Sequence, residues 1–310
     1  MSRLPLVSPL DRALFLKAQP YLDGLRSSVL TALASYTEEQ FYPAGSTIRE
    51  RGKPIDKIFF IADGTVQVAN ADLTSRLSQS IEAPGVVGLA HHFAATPSPP
   101  GVTATADAIC LEISTSDLDQ ILEDHFSLLL QMSRSSSTQA VLNFKLLKGA
   151  RPPEPGFSTA DLIDTPVILD FVHKLARAKR TPFLRKTNLT VIGELIRLDE
   201  PKLIKAGDVL WAEGDPIDRI ALVLDGSFST VGDGAQCHAP SGAAIGAWEI
   251  LLEEPRFETW IADETSRCIY IDRNLFIDVL EDHFEFSRSY MQQVSQRVVE
   301  GWALLSAANA

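Results

Sequence analysis

The chain has 310 residues, 45% of them hydrophobic and 22% charged, which is typical of a globular protein with room for about two domains. Its net charge of −12 disfavours general binding to polyphosphates such as DNA. Three cysteines without a CxxC pair exclude a disulfide framework and a four-cysteine zinc site, and they favour a reducing cytosol. The N-terminus is interrupted by prolines and charges, so neither a signal peptide nor a membrane span is predicted.

The first part of the chain predicts helices followed by short strands. Residues 11–37 carry apolar residues three or four apart, which indicates two short helices separated by Pro20. Short alternating runs bounded by glycine and proline then predict antiparallel strands of a barrel or sandwich. These runs cover 46–50, 57–62 and 65–70. A helix-start signal at 114–117 and a helical run over 139–148 place helices after the strands.

A proline-rich segment, GARPPEPG over 149–156, predicts a stiff connector that ends the first domain. Residues 161–178 and 189–198 then predict helices that lead into a second set of strands. Those strands end near Ile271, and helix is predicted from about 274 to 305. The second half therefore repeats the order of elements of the first.

The repetition is visible in the residues themselves. Residues 41–68 and 203–230 align without a gap at an offset of 162 and share nine identical positions. Residues 110–126 and 268–284 align at an offset of 158, including the run LEDHF in both. Because the two offsets differ by only four residues, the chain contains a duplicated domain with one architecture.

The repeated pattern AG(S/D)xxxxxGxPxDxIxxxxDG resembles the cyclic nucleotide-binding domain of catabolite activator proteins and kinase regulatory subunits. The matching glycines suit turns that need positive φ or a close approach of the backbone. They are Gly45, Gly52 and Gly64 in the first copy and Gly207, Gly214 and Gly226 in the second. The resemblance implies an α+β fold of two tandem cyclic nucleotide-binding-like β-roll (jelly-roll) domains, each flanked by helices.

The resemblance also implies where function lies. Members of this family carry a phosphate-binding cassette close to FGE(L)AL(L)xxxPR(x)A(S/T). In that cassette a short helix presents its amides to the cyclic phosphate, an arginine neutralises the phosphate, and a glutamate accepts the ribose 2′-hydroxyl.

The first cassette lacks both charged positions. Gly88 is kept, but Leu89 stands at the glutamate position and Ser98 at the arginine position. Losing a charge-assisted bond to a buried phosphate costs about 1.5 to 3 kcal/mol, or about one to two decades of affinity. The sequence therefore predicts a vestigial, non-binding cassette in the first copy.

The second cassette keeps part of the pattern, in residues Gly246, Ala247, Trp248, Arg256 and Thr259. Arg256 matches the phosphate clamp, whereas Ala247 replaces the ribose glutamate. Two interpretations stay open: Arg256 binds a phosphate, or it forms a surface or inter-domain ion pair.

Nearby glutamates bear on that choice. Glu258 is the expected ion-pair partner of Arg256, with Glu253 and Glu254 close in sequence. Glu249 is not expected to replace the missing ribose glutamate, because it lies two positions beyond Ala247 and that spacing turns a helical side chain by about 200°.

A basic run over 173–186 is the one concentration of positive charge. It contributes Lys174, Arg177, Lys179, Arg180, Arg185 and Lys186 without an acid between them. The run is interpreted as a solvated helix face, with docking of an anion, an acidic partner or the second cassette as the alternatives.

The remaining motifs predict structure rather than chemistry. Trp302 belongs to an apolar stripe that is expected to pack on the second barrel, with a dimer seam as the alternative. His125 and His283, at a bend between helices, predict packing or capping. No catalytic or metal motif is present, so no catalytic residue, metal ligand or cofactor is predicted.

The predicted domains are the leading helices at 1–38, a first cyclic nucleotide-binding-like domain at 39–148, a connector with helices at 149–200, and a second domain at 201–310. The predicted function is a cytoplasmic, bacterial, non-enzymatic regulatory protein that acts through protein contact or self-association. The alternative is a sensor of cAMP, cGMP or a cyclic dinucleotide through the second copy. DNA binding through the basic run is less favoured, and membrane association is not predicted.

Overall fold

A computed structural model describes residues 8–69, 78–147, 152–157, 170–197, 199–232 and 236–308. The first copy opens with helices α1 (Pro9–Leu16) and α2 (Ser27–Ser35), with a 3-10 turn at Pro20–Leu22 between them. Its strands are β1 (Glu38–Tyr42), β2 (Thr47–Arg49), β3 (Lys57–Asp63), β4 (Thr65–Ala69), β5 (Ser78–Glu82), β6 (Gly85–Val87), β7 (Val102–Ala104) and β8 (Ala108–Ser114). The short helix α3 (Leu89–Phe93) lies between β6 and β7, and helices α4 (Thr115–Asp124) and α5 (Phe126–Leu146) follow β8.

The second copy repeats this order, except that turns replace the short helix between its sixth and seventh strands. Helices α6 (Phe171–Arg180) and α7 (Leu189–Ile196) lead into the strands. The strands are β9 (Lys202–Ile204), β10 (Val209–Trp211), β11 (Arg219–Asp225), β12 (Phe228–Val231), β13 (His238–Ala239), β14 (Ala244–Ile245), β15 (Thr259–Ala262) and β16 (Ser266–Asp272). Helices α8 (Arg273–Asp282) and α9 (Phe284–Ala308) complete the described chain.

Each copy forms two four-stranded antiparallel sheets with the same topology. The strand orders are β1-β8-β3-β6 and β2-β7-β4-β5 in the first copy, and β9-β16-β11-β14 and β10-β15-β12-β13 in the second. Position by position these orders are identical, so the predicted pair of β-rolls is confirmed. The inner faces of each pair of sheets form one apolar core per copy, and Cys110 and Cys268 lie within these cores.

The helix pairs after each roll bend at the same residue. His125 ends α4 and accepts a hydrogen bond from the Leu128 amide at 2.9 Å. His283 ends α8 and accepts one from the Phe286 amide at 3.0 Å. Each histidine carbonyl thus caps the start of the next helix, which confirms the predicted capping role.

The chain divides into two compact units whose limits differ from the predicted boundaries. Unit 1 comprises Met1–Ser136 and Val294–Ala310, and unit 2 comprises Ser137–Gln293. The difference arises because α5 and α9 are long, at 21 and 25 residues. The end of α5 therefore groups with the second roll, and the end of α9 groups with the first.

The connector is attached to unit 2 over its described part, residues 152–157. The Glu154 amide donates to the carbonyl of His238 at 2.8 Å, and the Phe157 amide donates to that of Ser241 at 2.8 Å. A Cβ at Gly242 would lie 2.3 Å from the Phe157 ring, so only glycine fits beneath that ring. Over these residues the predicted stiff connector is bound to unit 2, while residues 149–151 and the first half of the predicted helix at 161–178 lie outside the described residues. Among the described helices, none has the length and hydrophobicity needed to cross a bilayer.

Candidate functional site

The second cassette follows β14 and starts at Gly246, whose φ of +80° lies in the left-handed region that favours glycine. The chain beyond it forms turns rather than a regular helix. Ala247 and Trp248 are both buried. The hydroxyl of Tyr290, on α9, donates a hydrogen bond to the Ala247 carbonyl at 3.1 Å. The position that the family pattern reserves for a ribose carboxylate is therefore held inside the packing of unit 2.

Trp248 is anchored on both sides. Its ring packs against Phe144 at 5.5 Å and Phe257 at 5.6 Å, both edge-on. Its indole N–H donates to the Glu154 carboxylate at 3.3 Å. Thr259 contacts the backbone, since its hydroxyl oxygen accepts the Glu213 amide at 2.9 Å. The Trp248 N–H and the Thr259 oxygen are thus both engaged within unit 2.

Arg256 lies inside unit 2 with all of its charge engaged. Its side chain is 1% exposed, and its Nη1 lies 2.6 Å from Oε1 of Glu249. Its Nη2 donates to the Arg219 carbonyl at 2.6 Å. The guanidinium carbon lies 3.5 Å from the centre of the Trp211 ring, a close cation–π contact. Burial lowers the pKa of Arg256, and the Glu249 charge opposes that shift.

Glu249 is therefore the ion-pair partner of Arg256, in the place expected for Glu258. The chain between Gly246 and Arg256 forms turns, which bring Glu249 back to the guanidinium seven residues further on. The predicted surface or inter-domain pair is instead a buried pair within unit 2. The guanidinium also lies at the cassette glycine, since a Cβ added to Gly246 would be 2.8 Å from its Nη1.

The first cassette does contain a regular short helix, α3, preceded by Gly88 with φ of +97°. Leu89 is 2% exposed and packs in the core, so it offers no polar group. Ser98 is exposed. The carbonyl of the next residue, Pro99, accepts the Gly52 amide at 2.9 Å. In the second copy the matching bond, from Gly214 at 2.9 Å, ends on Arg256 itself. Neither Ser98 nor Pro99, the residues that correspond to Arg256 in the first copy, therefore supplies a charge.

A different arginine lies at the first cassette. Arg49, the last residue of β2, is 6% exposed, and its Nη1 would lie 3.3 Å from a Cβ added to Gly88. Its Nη2 donates to the carbonyl of Pro100 at 2.9 Å. At the repeat offset of 162, Arg49 aligns with Trp211. Arg49 lies outside the cassette motif and was not predicted as a site residue, although its alignment with Trp211, an aromatic residue of the second copy, was visible in the sequence.

His91 and Trp302 complete the surroundings of the first cassette. Their rings lie 5.6 Å apart at 43°. Burial and the charge of Arg49 lower the pKa of His91 to about 4, so its ring is neutral at pH 7. Trp302 thus packs on the first cassette within unit 1, and the expectation that it packs on the second barrel is wrong.

Each of the two copies matches a known family of domains. The model of the cyclic nucleotide-binding domain matches residues 39–125 and 201–283. These two segments make up more than half of the chain. This chain belongs to the cyclic nucleotide-binding domain family.

Solved structures that match this chain share little of its sequence. The cAMP-bound regulatory subunit PfPKA-R is 13% identical over 90% of this chain and 86% of that chain, with a TM-score of 0.35. The regulatory subunit of a cAMP-independent protein kinase A from Trypanosoma brucei is 15% identical over 99% and 95%, with a TM-score of 0.35. A cAMP-binding acyltransferase from Mycobacterium smegmatis is 20% identical over 44% and 42%, with a TM-score of 0.36. No curated protein matches this chain.

Outside the cassettes, the basic run beside the second cyclic nucleotide-binding domain is partly internal. Lys174 is 4% exposed and its Nζ lies 3.2 Å from a Glu200 carboxylate oxygen. Arg177 is 8% exposed and its Nη1 lies 3.1 Å from Asp225.

Two of the other predicted patch residues also have partners. Lys179 donates to the carbonyl of Thr187 at 2.6 Å, and Arg180 lies over the Phe157 ring at 5.5 Å. Arg185 and Lys186 are exposed. The predicted solvated face is therefore wrong for Lys174 and Arg177, because they neutralise carboxylates of unit 2.

Metal chemistry has no visible basis in the described ranges. Within them, no three His, Cys, Asp or Glu side chains come together as a metal site requires.

Proposed function

We propose that this chain is a non-enzymatic regulatory protein that acts through contact with a partner protein, and that its second cassette is closed to cyclic nucleotides. The observation that carries this proposal is the buried ion pair between Glu249 and Arg256, at 2.6 Å. The carboxylate stands in for the phosphate that the family arginine would bind. The cassette thereby holds an internal anion in place of a diffusible one.

The energetic comparison favours the internal partner. A ligand phosphate would exchange one charge-assisted bond to Arg256 for another, with little net gain. It would also leave the Glu249 carboxylate, which is 6% exposed, without its counter-ion in a buried place, at a cost of several kcal/mol. The family glutamate that would add a ribose contact is absent, because Ala247 occupies its position. Cyclic nucleotides therefore gain too little to open the pair.

The second candidate is a nucleotide sensor, and one observation favours it. Arg256 lies against Gly246, where a Cβ would be 2.8 Å from Nη1, and this closeness supports the clamp role that the resemblance implies. The Tyr290 bond to the Ala247 carbonyl would then couple occupancy to α9. The candidate ligands are cAMP, cGMP and a cyclic dinucleotide. DNA binding is less favoured because Lys174 and Arg177 already neutralise carboxylates. The predicted cytoplasmic location, bacterial origin and self-association belong to the proposal.

Calorimetry separates the two candidates. The full chain is titrated with cAMP, cGMP and a cyclic dinucleotide, as wild type and as Arg256→Met. We expect no nucleotide binding that depends on Arg256. We also expect affinity purification to capture a partner protein, and this partner should bind the purified chain equally well with and without cAMP. A wild-type affinity that the Arg256→Met variant loses would replace this proposal with the sensor.

A further inference from the structure

Arg49 is a buried cation without a counter-ion in the described chain. It is 6% exposed, and its Nε and Nη1 have no hydrogen-bond partner among the described residues. The Pro100 carbonyl accepts only from Nη2. Asp56 acts on Arg49 at longer range, raising its pKa against the larger lowering by burial, but no ion pair joins them in the described ranges. A buried charge without a counter-ion lowers the stability of the folded chain unless an anion binds to it.

The second copy shows how the same arrangement is neutralised. The offset of 158 that aligns Gly88 with Gly246 also aligns His91 with Glu249. In the second copy that position supplies the carboxylate at 2.6 Å from the guanidinium. In the first copy it supplies a histidine that is neutral at pH 7. The first cassette thus keeps the cation and lacks the internal anion.

We infer that Arg49 binds the phosphate group of a small ligand beside Gly88 in the first cassette. The inference goes beyond the proposed function, which concerns the second cassette and a protein partner. It also departs from the vestigial first cassette predicted from Leu89 and Ser98, since the guanidinium comes from β2 rather than from the cassette. A guanidinium with two free nitrogens suits phosphate oxygens, to which arginine forms strong charge-assisted bonds.

The described surroundings of Arg49 supply no carboxylate in contact with it, so a bound anion would neutralise its charge. Gly88 lets the cassette backbone approach the guanidinium closely, because a Cβ there would lie only 3.3 Å from Arg49 Nη1 and 3.3 Å from the Ile58 side chain. His91 and Trp302 add uncharged rings. Arg49 Nε and Nη1 are closed to solvent, so the ligand enters as a neighbouring segment shifts. The exposed stretch at Ser98 adjoins the Pro100 carbonyl that holds Arg49.

Titration of the full chain with three probes tests this inference. Inorganic phosphate, AMP and cAMP distinguish free phosphate, a phosphomonoester and a phosphodiester. We expect one site per chain for at least one probe, weakened about 10- to 100-fold by Arg49→Gln because a charge-assisted bond is lost. Arg51→Gln, which changes an exposed arginine two residues away, is the matched control and should leave the affinity unchanged.

A second variant keeps the test valid if Arg49→Gln does not fold. His91→Glu introduces the carboxylate that the second copy carries at this position, and it should abolish binding while raising the melting temperature. Absence of binding by all three probes in the wild type would overturn the inference, as would a His91→Glu variant that binds like the wild type. Binding that survives Arg49→Gln but is lost in Arg256→Met would overturn both this inference and the proposed function. Failure of the inference alone would leave the second cassette closed, as proposed.

Discussion

Arg49 and Trp211 occupy the same position of the two repeats, and each lies against the glycine that opens its cassette. A Cβ added to Gly88 would be 3.3 Å from Arg49, and one added to Gly246 would be 3.3 Å from Trp211. In the second copy the tryptophan supports the guanidinium of Arg256 at 3.5 Å. The two copies therefore place a positive charge beside the cassette glycine from different segments, β2 in the first copy and the loop before β15 in the second. Among the described residues, only the second copy also supplies a carboxylate there.

The buried pair predicts a large and specific loss of stability in Glu249→Gln. Removing one partner leaves Arg256 buried without a counter-ion, which costs about 3 to 5 kcal/mol. Urea unfolding of the full chain measures the change. Glu253→Gln alters an exposed glutamate four residues away and should change the free energy of unfolding by less than about 0.5 kcal/mol. Equal effects of the two substitutions would contradict the internal-anion interpretation.

The glycine at the second cassette predicts a further matched comparison. Gly246→Ala and Gly207→Ala both place a Cβ on a backbone with positive φ, at +80° and +84°, which costs about 1 to 2 kcal/mol each. The Cβ at Gly207 meets nothing within 4 Å, whereas that at Gly246 meets Arg256 Nη1 at 2.8 Å.

Gly246→Ala should therefore lower the free energy of unfolding by at least about 1 kcal/mol more than Gly207→Ala, because it also displaces a guanidinium held by Glu249. Denaturant unfolding of the two variants under one set of conditions gives this difference. Equal losses would show that Arg256 moves aside without cost and that the ion pair is not rigid.

The first cassette predicts a dependence of stability on pH. Burial and Arg49 lower the pKa of His91 to about 4 in the folded chain, against about 6.5 when unfolded. The unfolded chain then binds more protons between these values, so the contribution of His91 is fully present above about pH 6.5 and is lost as the pH falls through about 4.

His91→Gln should reduce the fall in stability between about pH 7 and about pH 4.5. Urea midpoints at both pH values, for wild type and variant, measure the effect. His173→Gln serves as the control, because His173 is an exposed histidine on α6. A wild-type pH profile that His91→Gln leaves unchanged would show that His91 titrates normally in the folded chain.

The duplication and the two rolls were predictable because their signals are local. Turn glycines such as Gly45 and Gly207 require positive φ, and alternating residues of short strands specify which face is buried. The identical strand orders of the two copies follow from these repeated local patterns. The positions of Gly88, Gly246 and Arg256 in the cassettes came instead from the resemblance to the family's cassette pattern.

The residues that contact the two cassettes come from segments that are distant in the sequence. Sequence alone determined that the chain is a duplicated β-roll protein whose two cassettes depart from the family pattern at Leu89, Ser98 and Ala247. Only the tertiary structure decided that Glu249 neutralises Arg256, that Arg49 on β2 reaches the first cassette, and that Trp302 packs on His91. The physical reason is that sheet pairing and helix length bring these groups together across many residues, whereas the sequence patterns report neighbours within a few positions.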